Sequence, residues 1–223
     1  PSPYVEAVAD EPTPPLAQQA APAAEEPAPH AVVSSPAMTP SWLDEASPTV
    51  KIAGECNAVR RADDGRLIGD MFDGEGFVRG LRRKGCVLSG AKVLVVGAGG
   101  VGSAIAASLA AAGVAAIGVF DARAESAQAL AGRLRTHYPA LLVRDDSNDP
   151  AGYDVVVNAT PLGMNDGDPM PMDVARIAPE AFVGEVVMKA EMTAFLKAVQ
   201  ARGCRFQVGS DMLYEQIPAY LEF

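Results

Sequence analysis

The sequence has 223 residues, a formal net charge of −10 and three cysteines, so it is long enough for one sizeable globular domain. The acidic balance argues against a nucleic-acid partner, and the odd number of cysteines without C-x-x-C spacing indicates reduced thiols rather than a disulfide framework or a metal site. We expect a cytoplasmic protein without a signal peptide, because the first basic residue is Lys51 and no basic start precedes an apolar core.

The charge is unevenly distributed along the chain. Residues 1–50 contain seven acidic residues, eleven Pro and eleven Ala, but no Lys or Arg. Residues 1–40 are predicted to be a disordered Pro/Ala/Glu-rich segment, because they offer too little apolar bulk to offset the entropy of ordering. The folded domain is predicted to cover residues 41–223.

The first predicted elements of the folded part are a hairpin and a helix. Residues 58–61 and 66–69 flank the turn-forming sequence ADDG, which indicates a short hairpin. Residues 74–85 place their apolar side chains on one helical face and end with basic residues and a glycine, as helices commonly do.

From Lys92 onward, strand-like and helix-like segments alternate with short connections. The predicted strands are residues 92–96, 115–120, 141–143, 154–160, 182–188 and 204–209, and the predicted helices are residues 101–112, 124–136, 193–203 and 211–221. This alternation predicts an α/β fold with a doubly wound, mostly parallel Rossmann-type sheet and helices on both faces. The apolar run 103–120 is rich in small residues and broken by Gly113, so a buried helix and strand are predicted there rather than a membrane span.

The sequence GAGGVGSA directly follows the predicted strand 92–96. Gly97, Gly99 and Gly102 match the G-x-G-x-x-G spacing of a dinucleotide-binding turn. A strand before the turn and a helix after it would place free N–H groups and the positive end of the helix dipole at a pyrophosphate. The alternative, close packing of a small-residue helix on the sheet without a ligand, stays open.

Two charged residues follow the second strand of this unit. Asp121 lies 19 residues after Gly102, where a carboxylate can accept hydrogen bonds from an adenosine ribose and disfavour a 2′-phosphate. Arg123 favours the opposite choice, because a guanidinium can hold that phosphate. NAD is therefore the predicted cofactor and NADP the alternative, while a role for Asp121 in capping the next helix is compatible with either.

The sequence NATPLGM follows the fourth strand of the unit, at the carboxyl end of the predicted sheet, where a cofactor lies in such folds. Thr160 and the backbone beside it are predicted to face a nicotinamide. The structural alternative is an ordinary turn, since Asn, Pro and Gly are common turn residues.

Four separated motifs together resemble the shikimate and quinate dehydrogenases: GECNAVRRADDGRLIGDMFDGEGF, GAGGVGSA, NATPLGM and GCRFQVGSDMLYEQ. The resemblance covers residues 41–223, and the motifs occur in the order that the family has them. It implies a nicotinamide-dependent oxidoreductase that reversibly reduces a 3-keto group on a cyclic carboxylic acid, a small-molecule partner.

The resemblance also implies roles for individual residues. Asn57 and Gln216 match substrate-binding residues, and Asp73 matches an Asp that binds the ring hydroxyls and takes part in proton transfer. Residues 51–77 and 209–223 would then be substrate-site elements, with a helix cap as the structural alternative for Asp73. The predicted cofactor-binding residues are Gly97, Ala98, Gly99, Gly100, Val101, Gly102, Asp121, Arg123, Thr160, Val186 and Gly209, and no metal site is predicted.

The sequence departs from the family pattern in its substrate half. The family has a Ser-x-Ser carboxylate clamp and a catalytic Lys in a VT-x-P-x-K segment, and neither is found; Lys51 lies too late to match. Met188 stands where the family often has a substrate-facing Tyr. We therefore predict impaired turnover, with a non-catalytic NAD-binding module (a sensor or truncated relative) as the alternative. No membrane partner is predicted, and a homodimer is left open.

Overall fold

The computed structural model describes residues 30–31, 41–145 and 147–223. The segment predicted to be disordered, residues 1–40, falls outside the described residues except for the two-residue strand β1 (His30–Ala31). No helix in the described ranges is long and apolar enough to cross a membrane.

A small sheet in the first part of the described chain contains the predicted hairpin. Strands β3 (Ala58–Arg61) and β4 (Leu67–Asp70) pair antiparallel, as the sequence predicted. The sequence did not predict the two strands that extend the hairpin: β1 pairs antiparallel with β3, and β2 (Glu45–Ala46) pairs parallel with β4. Helix α1 (Pro48–Ala53) connects β2 to β3, and the Ser47 hydroxyl caps it by accepting from Val50 N.

The larger sheet has six parallel strands, which confirms the predicted fold class. Its strands are β5 (Lys92–Val96), β6 (Ala116–Phe120), β7 (Leu142–Asp145), β8 (Val155–Asn158), β9 (Phe182–Glu185) and β10 (Arg205–Gln207). They lie in the order β10-β9-β8-β5-β6-β7, so the order reverses between β5 and β8. Open α/β sheets bind ligands at the carboxyl ends of the strands at such a reversal.

The helices match the predicted segments to within a few residues. They are α2 (Asp73–Arg83), α3 (Gly100–Ala111), α4 (Ala124–His137), α5 (Ala194–Ala201) and α6 (Gly209–Glu222), with a short 3-10 turn at Val174–Arg176. Several predicted boundaries were wrong by two or three residues; for example, the strand predicted to reach Met188 ends at Glu185, and the helix predicted to begin at Asp211 begins at Gly209.

The core lies on both faces of the larger sheet, as expected for buried parallel strands. Alternate residues of β5 point to opposite faces: Val93 and Val95 pack with α2, α3 and α4, while Leu94 and Val96 pack with α5. The helix face predicted for α2 is confirmed, since Phe77 and its apolar neighbours Val78 and Leu81 are fully buried. Helix α2 thereby joins the small sheet to the larger one.

Candidate functional site

The glycine turn lies between β5 and α3, and each of its glycines has a different structural surrounding. Gly97 has φ 109°, a conformation that favours glycine, and a Cβ there would lie 2.6 Å from the Ala159 carbonyl oxygen. A methyl group on Gly102 would collide with the Gly97 carbonyl. Gly99 is different, because a Cβ there would meet nothing within 4 Å. The turn is therefore closely packed at Gly97 and Gly102 and open to solvent at Gly99.

The first turn of α3 presents free backbone donors to this open side. The first bond of the helix runs from Ser103 N to Gly99 O, so the N–H groups of Gly100, Val101 and Gly102 precede the intrahelical ladder. Gly100 and Val101 are only half-buried. An anionic group can therefore approach these donors from solvent, as a pyrophosphate does in dinucleotide-binding folds.

Asp121 lies at the carboxyl end of β6 and connects the turn to the next loop. Its Oδ2 accepts from Ala98 N at 2.8 Å, and its Oδ1 accepts from Arg123 N at 2.9 Å. Its side chain is 14% exposed. The alternative role of Asp121 as the N-cap of α4 is not seen in the structure, because the N-cap residue of α4 is Arg123. The Arg123 side chain is 76% exposed, and its Nε forms a 3.8 Å ion pair with Asp121 Oδ1, so Arg123 lies within reach of a ligand at this rim.

A buried polar network supports the loop that begins at Asn158. Both the amide and the hydroxyl of Thr160 donate to Asn158 Oδ1, at 3.1 and 2.6 Å. Asn158 Nδ2 donates to Glu185 Oε1 at 2.8 Å, and the Thr193 hydroxyl donates to Glu185 Oε2 at 2.6 Å. Burial raises the pKa of Glu185, and the hydrogen bonds from Thr193 and Asn158 offset part of that rise. Thr160 is thus held at the sheet reversal by side chains the sequence analysis did not single out.

Val186 and Gly209 meet at the carboxyl end of β9. Val186 N donates to Asn158 O at 3.2 Å, and a Cβ on Gly209 would lie 2.9 Å from the Val186 carbonyl carbon and overlap the Val187 carbonyl. Met188 follows and is 52% exposed. It lines a pocket of about 260 Å³ together with Glu191 and Tyr214.

The structure brings together three residues that lie far apart in the sequence: Asn57, Asp73 and Gln216. Gln216 Nε2 on α6 donates to Asp73 Oδ1, and Asn57 Oδ1 accepts from Phe72 N at 3.0 Å. Helix α6 comes this close to α2 because of Gly76, where a Cβ would lie 2.5 Å from both Gln216 Cγ and the Met212 carbonyl oxygen. We call these three residues the amide–carboxyl cluster.

Asp73 is the titratable member of the amide–carboxyl cluster. Burial raises the pKa of Asp73, and hydrogen bonding with Gln216 and Asn57 offsets part of the rise. The alternative role of Asp73 as a helix cap is not seen in the structure, because Asp73 is the first residue of α2 and no side chain caps this helix. Tyr220 on α6 lies close by, and burial together with the Asp73 charge raises its pKa to about 12. No cation is among the groups that shift the pKa of Asp73.

Glu55 is a further acidic residue between the glycine turn and the amide–carboxyl cluster. It is half-buried, and burial followed by the nearby Asp73 charge raises its pKa. A methyl group built on Gly100 would overlap the Glu55 carboxylate. The sequence analysis missed Glu55, because nothing in the motif GECN shows that the second residue will face a glycine forty-five positions later.

The groups around the glycine turn fit a dinucleotide: an open approach at Gly99, unpaired N–H groups at the start of α3 and a carboxylate at the carboxyl end of β6.

Lys51 lies exposed on α1 and is not among the groups that shift the pKa of Asp73. Within the described ranges, no three His, Cys, Asp or Glu side chains are grouped as metal ligands are.

Comparison with known proteins identifies the family of this chain. The model of the family described as shikimate/quinate 5-dehydrogenase matches residues 81–162. A quinate/shikimate dehydrogenase from Shigella flexneri is 30% identical over 187 residues, which cover 78% of this chain and 75% of the relative. The chain belongs to the shikimate/quinate dehydrogenase family.

Two further members of this family are similar to the chain over most of its length. The quinate/shikimate dehydrogenase (NAD(+)) of Corynebacterium efficiens is 38% identical over 181 residues, 78% of this chain, and the chain spans 63% of that relative's length. The crystal structure of shikimate 5-dehydrogenase from Listeria monocytogenes, in complex with shikimate and NAD, is similar with a TM-score of 0.80 and 27% identity. It covers 87% of this chain, which spans 72% of that structure.

Proposed function

We propose that this chain forms the dinucleotide-binding part and a portion of the substrate site of an NAD(P)-dependent shikimate/quinate dehydrogenase. The reaction is hydride transfer between a nicotinamide and the 3-keto or 3-hydroxy group of a cyclic carboxylic acid. The observation that carries this proposal is the amide–carboxyl cluster, which assembles beside the glycine turn from three separate segments. Residues 51–77 and 209–223 supply that cluster, and residues 41–223 supply the whole domain.

Asp73 is the proposed catalytic residue. A bound nicotinamide supplies the hydride, and the reduced carbonyl oxygen needs a proton at the same time. Burial raises the pKa of Asp73, so its carboxyl keeps a proton to higher pH than an exposed Asp does. Asn57 and Gln216 hold the carboxyl in place and offer amide donors and acceptors to ring hydroxyls. We propose that Asp73 gives this proton to the substrate oxygen.

Turnover is proposed to be slow for this chain by itself. Among the described residues no cation contributes to the pKa of Asp73, which supports the proposal that this chain has no counterpart of the family's catalytic Lys. Loss of one preorganised donor to developing oxyanion charge typically lowers a rate about 10²–10³-fold. The alternative from the sequence, a module that binds a dinucleotide without turnover, is therefore one outcome of the test below.

NAD is the proposed cofactor, with NADP as the alternative. The Asp121 carboxylate is proposed to accept from the adenosine ribose, while the exposed Arg123 offers a partner to a 2′-phosphate. Gly97 to Gly102 are proposed to hold the pyrophosphate. Thr160, Val186 and Gly209 are proposed to face the nicotinamide, because they follow the carboxyl ends of β8, β9 and β10 respectively.

We also propose a reducing, cytoplasmic location and no nucleic-acid partner. The three cysteines, Cys56, Cys86 and Cys204, are free and buried. Homodimer formation stays a prediction, and sedimentation velocity of the purified chain measures it.

The direct test is an assay of shikimate and quinate oxidation followed by NADH or NADPH absorbance. We expect slow turnover of one or both acids by the wild-type chain and its loss in the Asp73→Asn variant. Cofactor binding without turnover of either acid would support the non-catalytic module. Turnover that is unchanged in Asp73→Asn would contradict the assignment of the catalytic residue.

A further inference from the structure

Glu55 occupies a position that the proposed cofactor would need. Its carboxylate fills the space next to Gly100, the first residue of α3, so the side chain lies over the helix end that presents free N–H groups. Gly54 directs the chain there, because it ends α1 in a left-handed conformation with φ 81°. The position of Glu55 is thus set by the end of a helix packed against α3.

The electrostatics of this position are those of an anion at a helix start. A carboxylate next to the first turn of a helix is favourable, since it meets the positive end of the dipole. No hydrogen-bond or ion-pair partner of the Glu55 side chain is found among residues 41–145 and 147–223. The nearby charge is Asp73, which disfavours ionised Glu55. Within these ranges no side chain pairs with the Glu55 carboxylate, and the free N–H groups of the helix end remain available to a competing anion.

A dinucleotide brings two phosphate charges to the same helix end. We infer that the Glu55 carboxylate, which lies next to the first residue of α3, opposes the pyrophosphate by like-charge repulsion, so that Glu55 lowers the affinity for dinucleotides. This inference rests on the proposed function, because it requires the glycine turn to bind a dinucleotide. It assigns to Glu55 an effect on cofactor binding that is separate from the chemistry at Asp73.

The test separates the charge of Glu55 from its bulk. NADH is titrated by fluorescence into the wild type, Glu55→Gln and Glu55→Ala. We expect Glu55→Gln to bind NADH roughly five- to twentyfold more tightly, because it keeps the shape and removes the charge. The matched control is Glu180→Gln, an exposed residue just before β9 at the opposite edge of the sheet, which should leave the affinity unchanged.

Two further titrations identify which part of the ligand responds. ADP carries the pyrophosphate without the nicotinamide, so its affinity should rise in Glu55→Gln in parallel with that of NADH. Adenosine has no phosphate, and its affinity should not change.

The outcomes distinguish the inference from the function on which it rests. If the wild type binds NADH and Glu55→Gln binds it equally or more weakly, the inference is wrong and the proposed function stands. Tightening in Glu55→Ala alone would assign the effect to bulk and overturn the electrostatic inference. If no variant binds NADH or ADP, both the proposed function and the inference are wrong.

Discussion

The two halves of the candidate site are built in different ways. The glycine turn is made of backbone: its donors are N–H groups of consecutive residues, and its shape follows from Gly97 and Gly102. The amide–carboxyl cluster is made of side chains from the residue before β3, from α2 and from α6, and close helix packing at Gly76 brings α2 and α6 together. The first half depends on local sequence, and the second depends on the tertiary fold.

This difference predicts how each half responds to substitution. A side chain added to the turn blocks a ligand without disturbing the fold, because the open position faces solvent. A change in the cluster alters the chemistry at one carboxyl and leaves the turn intact. The variants below separate these responses, beginning with the largest expected effect.

Replacing Asp73 with Asn should have the largest effect. The variant keeps the shape but cannot exchange a proton, so kcat should fall about 10²–10⁴-fold while the Kd for NADH stays unchanged. Asp63→Asn, in the exposed turn of the small-sheet hairpin, is the control and should retain wild-type kcat. A kcat within about threefold of wild type in Asp73→Asn, a difference of about 0.65 kcal/mol, would remove Asp73 from the mechanism.

Replacing Gly99 with Val should abolish cofactor binding. The new side chain meets nothing within 4 Å in the chain, so the fold tolerates it, but it stands where the pyrophosphate approaches. We expect NADH affinity to fall more than about 100-fold, or about 2.7 kcal/mol, with little change in Tm. Gly132→Val, on the exposed face of α4 with equally open space, serves as the control. Retained affinity would place the dinucleotide elsewhere.

The sequence predicted these two halves unequally. Gly97, Gly99 and Gly102 were recognised from spacing and from the strand and helix around them, because backbone sites leave a local pattern. Asp73 was identified by resemblance to the family alone. Physical reasoning from the residues offered only a helix cap, which the structure does not contain. The packing of α6 on α2 that completes the cluster has no local signature.

Long-range contacts also explain which elements and residues could not be predicted from the sequence. The six-stranded sheet was predictable, since each strand is a short apolar run between turn residues. Strands β1 and β2 have two residues each and no pattern of their own, so they form only because β3 and β4 offer free edges. Glu185 and Glu55 were missed for the same reason: their partners, Asn158 and Gly100, are distant in the chain.

Replacing Asp121 with Asn should change cofactor choice by a smaller amount. We expect the wild type to prefer NADH over NADPH about ten- to a hundredfold, about 1.4–2.7 kcal/mol, because a carboxylate repels the 2′-phosphate. The variant should narrow or invert that ratio and leave Arg123 to bind phosphate. A Tm measurement controls for the lost bond to Ala98 N. Equal wild-type affinities, or an unchanged ratio in the variant, would show that Asp121 does not contact the ribose.

The pH dependence of stability tests the network below Thr160. Burial raises the pKa of Glu185 above its ordinary value of 4.5, so the folded chain binds this proton more tightly than the unfolded chain. Its contribution to stability is present below that ordinary value and is lost as pH rises through the raised pKa. The unfolding free energy of wild type relative to Glu185→Gln should therefore fall from acid to neutral pH. A rising difference for Glu185→Gln would mean that the carboxylate is the favoured form.

Separate calorimetric titrations of NAD and shikimate into the purified chain examine both halves of the site in one experiment. If the glycine turn and the amide–carboxyl cluster form one dehydrogenase site, each ligand binds, Gly99→Val abolishes the heat from NAD, and Asp73→Asn diminishes the heat from shikimate. Binding of NAD without shikimate would leave only a dinucleotide module. Binding of neither ligand would contradict the proposal for both halves.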